Sequence, residues 1–196
     1  IQGLGVFPLD VGNTPVDFFA ADGHKWLLGP EGAGIFYVRK EHLDRLRAIG
    51  VGWNSVADRR FDKIELTLRP EAARFEGGTL NTPGFLGLGA SVDLLLAHGV
   101  GPKRRELADR VLALGDYACE ELRKAGAAIQ SHRGPECSSG IISFLPPRGE
   151  PMAVRARLRD RNVVVSCRNG WLRIALHGFN DESDISRLIE GLKEAH

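Results

Sequence analysis

One lysine of the chain is set apart by its surroundings. Lys25 follows His24 and precedes the glycine-rich segment 29–34, Gly-Pro-Glu-Gly-Ala-Gly. The apolar runs 16–21 and 34–38 on either side predict two short β-strands, so we expect Lys25 in a loop held by a sheet on both sides. A lysine there can be partly desolvated, which lowers its pKa and frees the amine to attack a carbonyl. A Schiff base with pyridoxal phosphate requires this chemistry.

Two other interpretations of this segment are available. Lys25 can be one of many surface lysines, which is the usual case for a lysine taken at random. Alternatively, segment 29–34 can be a phosphate-binding loop with Lys25 as a mere neighbour. It lacks the Gly-Lys-Ser/Thr ending of a P-loop and the Gly-x-Gly-x-x-Gly spacing of a dinucleotide fold, so the phosphate-loop interpretation has little support.

Three segments carry a family resemblance. Gly-His-Lys at 23–25, followed by Gly-Pro-Glu-Gly at 29–32, resembles the cofactor-lysine segment of class V aminotransferases. These are fold type I pyridoxal phosphate enzymes and include cysteine desulfurases, kynureninases and isopenicillin-N-epimerase-like proteins. Segment 74–82, Arg-Phe-Glu-Gly-Gly-Thr-Leu-Asn-Thr, is similar to the family signature Arg-Phe-Glu-x-Gly-Thr-x-Asn. Segment 170–181 resembles the family's Leu/Val-Arg-x-Ser-x-x-x-Tyr-Asn-Thr/Asp run.

The resemblance implies a role for each of five residues. Lys25 would hold pyridoxal 5'-phosphate as a Schiff base and, once freed, act as a general base. His24 would donate to the cofactor phosphate, and Gln2 would face the phenolic oxygen of the cofactor. Thr79 would reach across a homodimer interface to the partner's cofactor phosphate. Arg173 would grip the α-carboxylate of an amino-acid substrate in a bidentate pair.

Each of these residues also has a purely structural interpretation. A glutamine such as Gln2 is, taken alone, more often a surface residue, and His24 can be a satisfied loop histidine. The segment around Thr79 can be a plain turn before a helix, although this leaves its Arg-Phe-Glu prefix unexplained. Arg173 lies in an apolar strand and needs a partner in any case, so a structural salt bridge is its alternative.

The chain departs from the family pattern at three positions. Asp22 stands where cysteine desulfurases commonly have a serine that bonds the phosphate. A carboxylate beside a phosphate dianion is unfavourable, so we expect Asp22 to avoid the phosphate, and its role is open. Ala175 and Phe179 replace the usual serine and tyrosine of the third segment, and neither change removes the task of Arg173.

The three cysteines help to predict which branch of the family the chain resembles. Cys119, Cys137 and Cys167 are scattered and form neither a disulfide framework nor a metal-ligand spacing, so no metal site is expected. Cys167 lies six residues before Arg173, in a predicted short loop with little freedom to swing onto a substrate sulfur. We interpret all three as structural, which favours the epimerase-like branch. Segment 52–56, Gly-Trp-Asn-Ser-Val, also resembles that branch and either lines the substrate entry or packs its tryptophan.

Composition and periodicity set the architecture. With 196 residues, 43% hydrophobic residues, a net charge of +1 and no apolar run of transmembrane length, the chain suits a cytoplasmic globular protein without nucleic-acid or membrane partners. The expected fold class is α/β, the C-terminal half of a fold type I transferase: the end of the large domain (1–101, including the interdomain helix) and a small α+β domain (102–196). Predicted strands are 5–11, 16–21, 34–38, 128–130, 140–145, 163–166 and 171–176. Predicted helices are 40–48, one whose start lies at 81–83 and whose end lies at Gly99 and Gly101, 103–124, one through Val154 and Leu158, and one from Asp181. Residues 49–80 are predicted to be mainly loop.

The sequence therefore predicts a pyridoxal phosphate-dependent transferase or lyase that acts on an α-amino acid. The chain starts at Ile1 without methionine, and family members are about twice as long, so we expect activity only within a longer protein. Transamination, desulfuration, epimerisation and lyase chemistry all remain open. The rival hypothesis is a non-catalytic fragment that folds or dimerises without binding a cofactor.

Overall fold

The computed structural model describes residues 1–60, 62–63 and 65–193. It divides into two compact units, Ile1–Arg104 and Arg105–His196. The predicted domain division after residue 101 remains a prediction about the longer protein.

The first unit is built around a β-hairpin. Strands β1 (Phe18–Asp22) and β2 (Gly34–Val38) pair antiparallel, from Phe18 opposite Val38 to Asp22 opposite Gly34. The apolar runs predicted both strands. The observed β2 has the predicted limits, and the observed β1 starts two residues later than predicted. The loop that joins them holds Lys25.

The predicted strand at 5–11 is wrong. The backbone N–H groups of Val6 and Phe7 both donate to the Gly3 carbonyl, so this segment is a turn. Gly5 adopts φ +101°, and a Cβ on it would lie 2.2 Å from the Trp26 carbonyl oxygen. The apolar residues of this segment pack against the lysine loop instead of joining a sheet.

Irregular structure follows the hairpin. The predicted helix at 40–48 is a shorter 3₁₀ helix, Lys40–Arg45. The predicted loop 49–80 is irregular apart from a second 3₁₀ helix, Ala72–Phe75, and an isolated bridge between Val56 and Leu68. Positions 61 and 64 of this predicted loop lie outside the described residues.

Helix α1 spans Thr82–Ala97 and begins as predicted. The Asn81 side chain accepts a hydrogen bond from the Gly84 N–H at 3.1 Å, with proline in the first turn. The apolar residues of α1 are covered unequally: Leu88 and Leu95 are buried, whereas Leu86 is 72% exposed. The apolar pattern predicts which residues favour burial. It does not show whether other parts of this chain cover them.

The second unit starts with α2 (Glu106–Lys124), which begins three residues later than predicted. Gly126, at φ +87°, ends this helix as expected. The Gly126 N–H donates to the Arg123 carbonyl, and the Ala127 N–H donates to the Leu122 carbonyl. These two bonds form a Schellman motif, which satisfies carbonyls that the last helical turn leaves free.

An antiparallel sheet forms the rest of this unit. Its strands are β3 (Ala128–Ile129), β4 (Ile141–Leu145), β5 (Ser166–Arg168) and β6 (Trp171–Ala175), in the order β3-β4-β6-β5. Helix α3 (Pro151–Asp160) connects β4 to β5, and α4 (Glu182–Lys193) follows β6. The strand predicted at 163–166 is displaced to 166–168, because the Val163 N–H is used to close the end of α3 on Leu158.

One face of this sheet forms the core. Ile142, Phe144 and Leu172 are almost fully buried and belong to the cluster that includes Leu122 of α2 and Leu158 of α3. The predicted apolar face of α4 is confirmed by the buried residues Ile185, Leu188, Ile189 and Leu192. Because side chains alternate along a strand, the neighbours of these core residues in β4, β5 and β6 lie on the opposite face.

Candidate active site

The loop between β1 and β2 is a tight, internally bonded turn. The Gly23 N–H donates to Ala33 O at 2.8 Å and the Gly29 N–H donates to Gly23 O at 2.8 Å. The Leu28 N–H closes a smaller turn on Lys25 O at 3.0 Å. These bonds fix the backbone on both sides of the lysine.

Burial of the neighbouring residues determines where Lys25 points. Trp26 and Leu27 are 7% and 5% exposed, and Phe7 stacks on the Trp26 ring at 6.4 Å between centroids. The Lys25 side chain itself is 38% exposed. The turn thus buries two residues while the preceding amine keeps access to solvent. The partial desolvation expected for Lys25 stays a prediction.

Helix α1 supports this loop along its length. Leu88 packs against Gly29, where an added Cβ would lie 2.7 Å from Leu88 Cδ1. The Ser91 hydroxyl donates to Leu28 O at 2.8 Å, and the Asn81 amide donates to Gly32 O at 3.1 Å. The residue that caps the helix therefore also holds the far end of the lysine loop.

Asp22 is the charged partner of the lysine. Its Oδ2 lies 3.0 Å from Lys25 Nζ, three residues away at the end of β1. The hydrogen bond from Lys25 lowers the pKa of the Asp22 carboxyl. This contact gives Asp22 a partner that the sequence analysis missed, although the three-residue spacing of the two charges could have indicated it.

The other residues predicted to hold the cofactor are accessible. His24, Gln2 and Thr79 are all exposed. His24 shares the turn of Lys25, whereas Gln2 precedes the turned segment that packs under Trp26. Thr79 lies two residues before Asn81, whose side chain contacts the lysine loop.

The Arg-Phe-Glu prefix before Thr79 has a structural explanation. The Arg74 guanidinium donates to Arg69 O at 2.7 Å and to both Leu43 O and the Asp44 carboxylate at 3.2 Å. Phe75 packs edge-on against Phe36 of β2, with centroids 5.5 Å apart. Arg74 thus attaches the loop before Thr79 to the 3₁₀ helix 40–45, and Phe75 attaches it to the hairpin that carries the lysine loop.

The segment 52–56 packs against the same glycine pair that precedes Thr79. A Cβ on Gly52 would lie 1.9 Å from Gly77 O, and the buried Ser55 hydroxyl donates to Glu76 O at 3.0 Å. Trp53 is 49% exposed, with Arg59 over its ring at 5.5 Å. Trp53 therefore lines an open cavity of about 370 Å³ rather than packing inside the unit.

Arg173 lies in the middle of β6, directly between two serines on the neighbouring strands. Its cross-strand partners are Ser143 of β4 and Ser166 of β5. Arg173 Nε is buried and has no hydrogen-bond partner among the described residues. The structural salt bridge that was the alternative for Arg173 is not formed with any described carboxylate. Arg168 follows Ser166 by two residues and so lies on the same face of the sheet.

The three cysteines differ in accessibility. Cys119 is buried in α2, and burial raises the pKa of its thiol. Cys167 lies in β5 opposite Leu172, not in a loop as predicted, and packs against the core. Cys137 is exposed in the connection between β3 and β4.

Comparison with known proteins identifies the family of this chain. The family model described as class V aminotransferase matches residues 1–188. The chain therefore belongs to the class V aminotransferase family, as the three sequence segments predicted. The expected fold class is also confirmed, because the chain is mixed α/β and aligns with half of larger structures of this family.

Relatives of two kinds are similar to it. A probable cysteine desulfurase of Methanothermobacter thermautotrophicus is 31% identical over 98% of this chain, and isopenicillin N epimerase of Streptomyces clavuligerus is 30% identical over 96%. The apo structure of a cysteine desulfurase from Thermococcus onnurineus NA1 matches with a TM-score of 0.85 at 25% identity, over 98% of this chain and 50% of that one. The chain spans about half the length of the two relatives, 51% and 49%.

Two features are absent from the described residues. None of the helices in that part of the chain is both long and apolar enough to cross a bilayer. No group of three or more His, Cys, Asp or Glu residues there is placed to hold a metal ion.

Proposed function

We propose that this chain is the lysine-bearing part of a pyridoxal phosphate enzyme that acts on an α-amino acid through a Schiff base at Lys25. The observation that carries the proposal is the turn of Lys25: its backbone is fixed, the next two residues are buried, and its amine reaches solvent. A nucleophilic amine needs access to a carbonyl and a defined direction of approach, and this turn offers both.

The donor groups of the first unit fit the cofactor. Lys25 supplies a primary amine for its aldehyde, and the exposed His24 and Thr79 supply donors for its phosphate. Gln2 would hold the phenolic oxygen. Bound in this way, pyridoxal phosphate would act as an electron sink for bonds at the α-carbon of an amino acid.

The Asp22–Lys25 ion pair has a place in this function. A carboxylate 3.0 Å from Nζ holds the amine against the end of β1. The ion pair must therefore open before Lys25 reacts. We propose that Asp22 holds the lysine side chain in place until the cofactor arrives and is not itself a phosphate ligand.

The proposed ligand of the substrate carboxylate is Arg173. A guanidinium with a buried, unpartnered Nε retains donors for a carboxylate, and a bidentate pair would orient the α-carboxylate. In the proposed homodimer, Thr79 would reach the cofactor of the partner subunit. A cytoplasmic location is part of the same proposal.

The position of the cysteines supports the epimerase-like branch. A desulfurase needs a mobile thiol at the substrate, and Cys167 is held in a strand with its side chain against the core. Desulfuration is the second candidate, and the exposed Cys137 favours it as the accessible thiol. The substitution Cys137→Ala separates the two. With dithiothreitol present to reduce a persulfide, release of sulfide from L-cysteine by the full-length enzyme, and its loss in Cys137→Ala, would support desulfuration.

The cofactor proposal has a direct spectroscopic test. Full-length protein should develop the visible absorption of a lysine–pyridoxal phosphate imine, and Lys25→Ala should not. Lys40→Ala removes an exposed lysine at the start of the 3₁₀ helix, outside the turn. It is the matched control and should absorb like the wild type. A folded wild-type protein without this absorption would instead support the non-catalytic alternative.

A further inference from the structure

The serine opposite Arg173 in β4 lies on the face of the sheet that carries two arginines. One side of the four-stranded sheet carries Ser143, Ser166, Arg168 and Arg173, and we call this side the arginine face. It is the reverse of the core face, because its residues alternate with Ile142, Phe144 and Leu172 along the strands.

Ser143 and Arg173 form a close cross-strand pair. Ser143 directs its backbone groups toward β3: its N–H donates to the Ser131 hydroxyl at 2.8 Å, and its carbonyl accepts from Gln130 at 2.9 Å. Ser143 and Arg173 are therefore a non-hydrogen-bonded pair of the β4–β6 ladder. The Cα atoms of such pairs are about 4.5 Å apart and their side chains are closer than in hydrogen-bonded pairs.

The two serines that flank Arg173 use their hydroxyls differently. The Ser166 hydroxyl donates to Arg173 O at 3.4 Å, so it serves the backbone of the strand. The Ser143 hydroxyl makes no hydrogen bond with the described residues, although the Ser143 backbone is fully used. A hydroxyl beside a guanidinium, with neither group engaged, is suited to share one acceptor.

The charge of the arginine face selects an anion. It carries two guanidinium groups, Arg168 and Arg173, and its strand residues include no Asp or Glu. Arg168 is exposed and pairs with Trp171, diagonally across from Arg173. An acceptor-only group with two oxygens satisfies a guanidinium and a hydroxyl together, and a carboxylate is such a group.

We infer that Ser143 binds the substrate carboxylate together with Arg173, with its hydroxyl as an added donor. This inference rests on the proposed function and extends it by one binding residue. In this arrangement Arg173 supplies the charge and Ser143 fixes which oxygen lies toward β4. The Ser166 hydroxyl takes no part.

The test compares two ligands that differ at one group. Full-length protein is titrated by calorimetry with L-alanine and with L-alaninamide, which has a neutral amide in place of the carboxylate. The dissociation constant of L-alaninamide divided by that of L-alanine measures recognition of the carboxylate. We expect Ser143→Ala to lower this ratio roughly tenfold, as the loss of a hydrogen bond to a charged group does. Ser143→Thr, which restores a hydroxyl, should keep most of the wild-type ratio.

Ser166→Ala is the matched control, since it removes a hydroxyl from the other cross-strand neighbour of Arg173. It should leave the ratio unchanged, and a melting curve of each variant shows that the sheet is intact. An unchanged ratio in Ser143→Ala, or a wild-type protein that does not distinguish the two ligands, would overturn the inference. Trapping of the cofactor on Lys25 is measured separately, so failure of the proposed function is recognised independently of this ratio.

Discussion

Cys167 and Arg173 belong to one β-hairpin but lie on opposite faces of it. Cys167 is paired with Leu172, which is fully buried, whereas Arg173 follows on the other side of the strand. The turn between the strands is tight, with Asn169 and Gly170 both at positive φ. A thiol on the core side of this hairpin cannot act on a ligand that Arg173 holds unless the hairpin itself rearranges.

The thiols should therefore differ in reactivity. With iodoacetamide at neutral pH, Cys137 should be alkylated first, Cys167 roughly tenfold or more slowly, and Cys119 only on unfolding, because burial both blocks access and raises the pKa of the Cys119 thiol. Peptide mass spectrometry over time measures the three rates. Alkylation of Cys167 as fast as Cys137 would show that β5 opens in solution and would reinstate Cys167 as a candidate nucleophile.

Opening the ion pair at Lys25 should make this lysine more reactive. In Asp22→Asn the amine loses its carboxylate partner, and we expect the rate of imine formation with pyridoxal phosphate at pH 7 to rise a few-fold, the size of an exposed ion pair. Stopped-flow absorbance gives the rate.

Asp17→Asn is the control for this change. It removes another exposed carboxylate, one that bonds His42 at 2.8 Å rather than a lysine. Its rate should match the wild type. Equal rates in Asp22→Asn and Asp17→Asn would mean that the ion pair does not restrain Lys25.

The lysine turn depends on close backbone packing at Gly23. A Cβ there would lie 2.5 Å from Ala33 O, a backbone atom that cannot move aside while the hairpin is intact. Gly23→Ala should cost roughly 1–3 kcal/mol of unfolding free energy and reduce cofactor incorporation. Urea unfolding and cofactor absorbance measure the two effects.

The matched glycine is Gly89 of α1, which has open space around its Cβ position. Gly89→Ala should be stabilising by about 0.5–1 kcal/mol, because alanine restricts the unfolded chain and favours a helix. Two variants with the same effect on stability would contradict the packing described for the turn.

The start of α4 should make stability depend on acid pH. Hydrogen bonds from the Asn180 amide, the Asp181 N–H and Arg187 lower the pKa of Asp184 below its usual 3.8. A depressed pKa in the folded state means that the carboxylate stabilises the fold above pH 3.8. This contribution is lost as the pH falls through the lower folded-state pKa.

Melting temperatures from pH 7 to pH 2.5 test this dependence. Asp184→Asn should melt lower than the wild type at pH 7, and this difference should shrink at the acid end. Asp93→Asn, an exposed carboxylate of α1, is the control and should keep the wild-type profile. A constant difference between Asp184→Asn and wild type at all pH values would rule out the ionised carboxylate as its cause.

Much of the fold could be predicted from local patterns. The strand 34–38, the capped start of α1, the glycine stop of α2 and the buried face of α4 each follow from residues a few positions apart. The segment 5–11 could not be predicted, because its apolar residues pack under Trp26, a contact between distant parts of the sequence. For the same reason, the sequence did not show that α1 leaves Leu86 exposed.

The candidate site also contains residues that local sequence patterns predicted and residues that they did not. Lys25 and Arg173 were found through their neighbours in sequence, and the family resemblance that they carried is confirmed. Ser143 was missed, because it lies 30 residues from Arg173 and only the strand register brings the two together. The structural use of Arg74 was also hidden, since two of its three acceptors come from the 3₁₀ helix some 30 residues earlier.

The most direct test of the central claim is to trap the cofactor on its lysine. Full-length protein is incubated with pyridoxal phosphate, reduced with borohydride, digested and mapped by mass spectrometry. We predict a pyridoxyl group on Lys25 and not on the other lysines of this chain, Lys40, Lys63, Lys103, Lys124 and Lys193. A folded protein modified elsewhere, or not at all, would contradict Lys25 as the cofactor lysine.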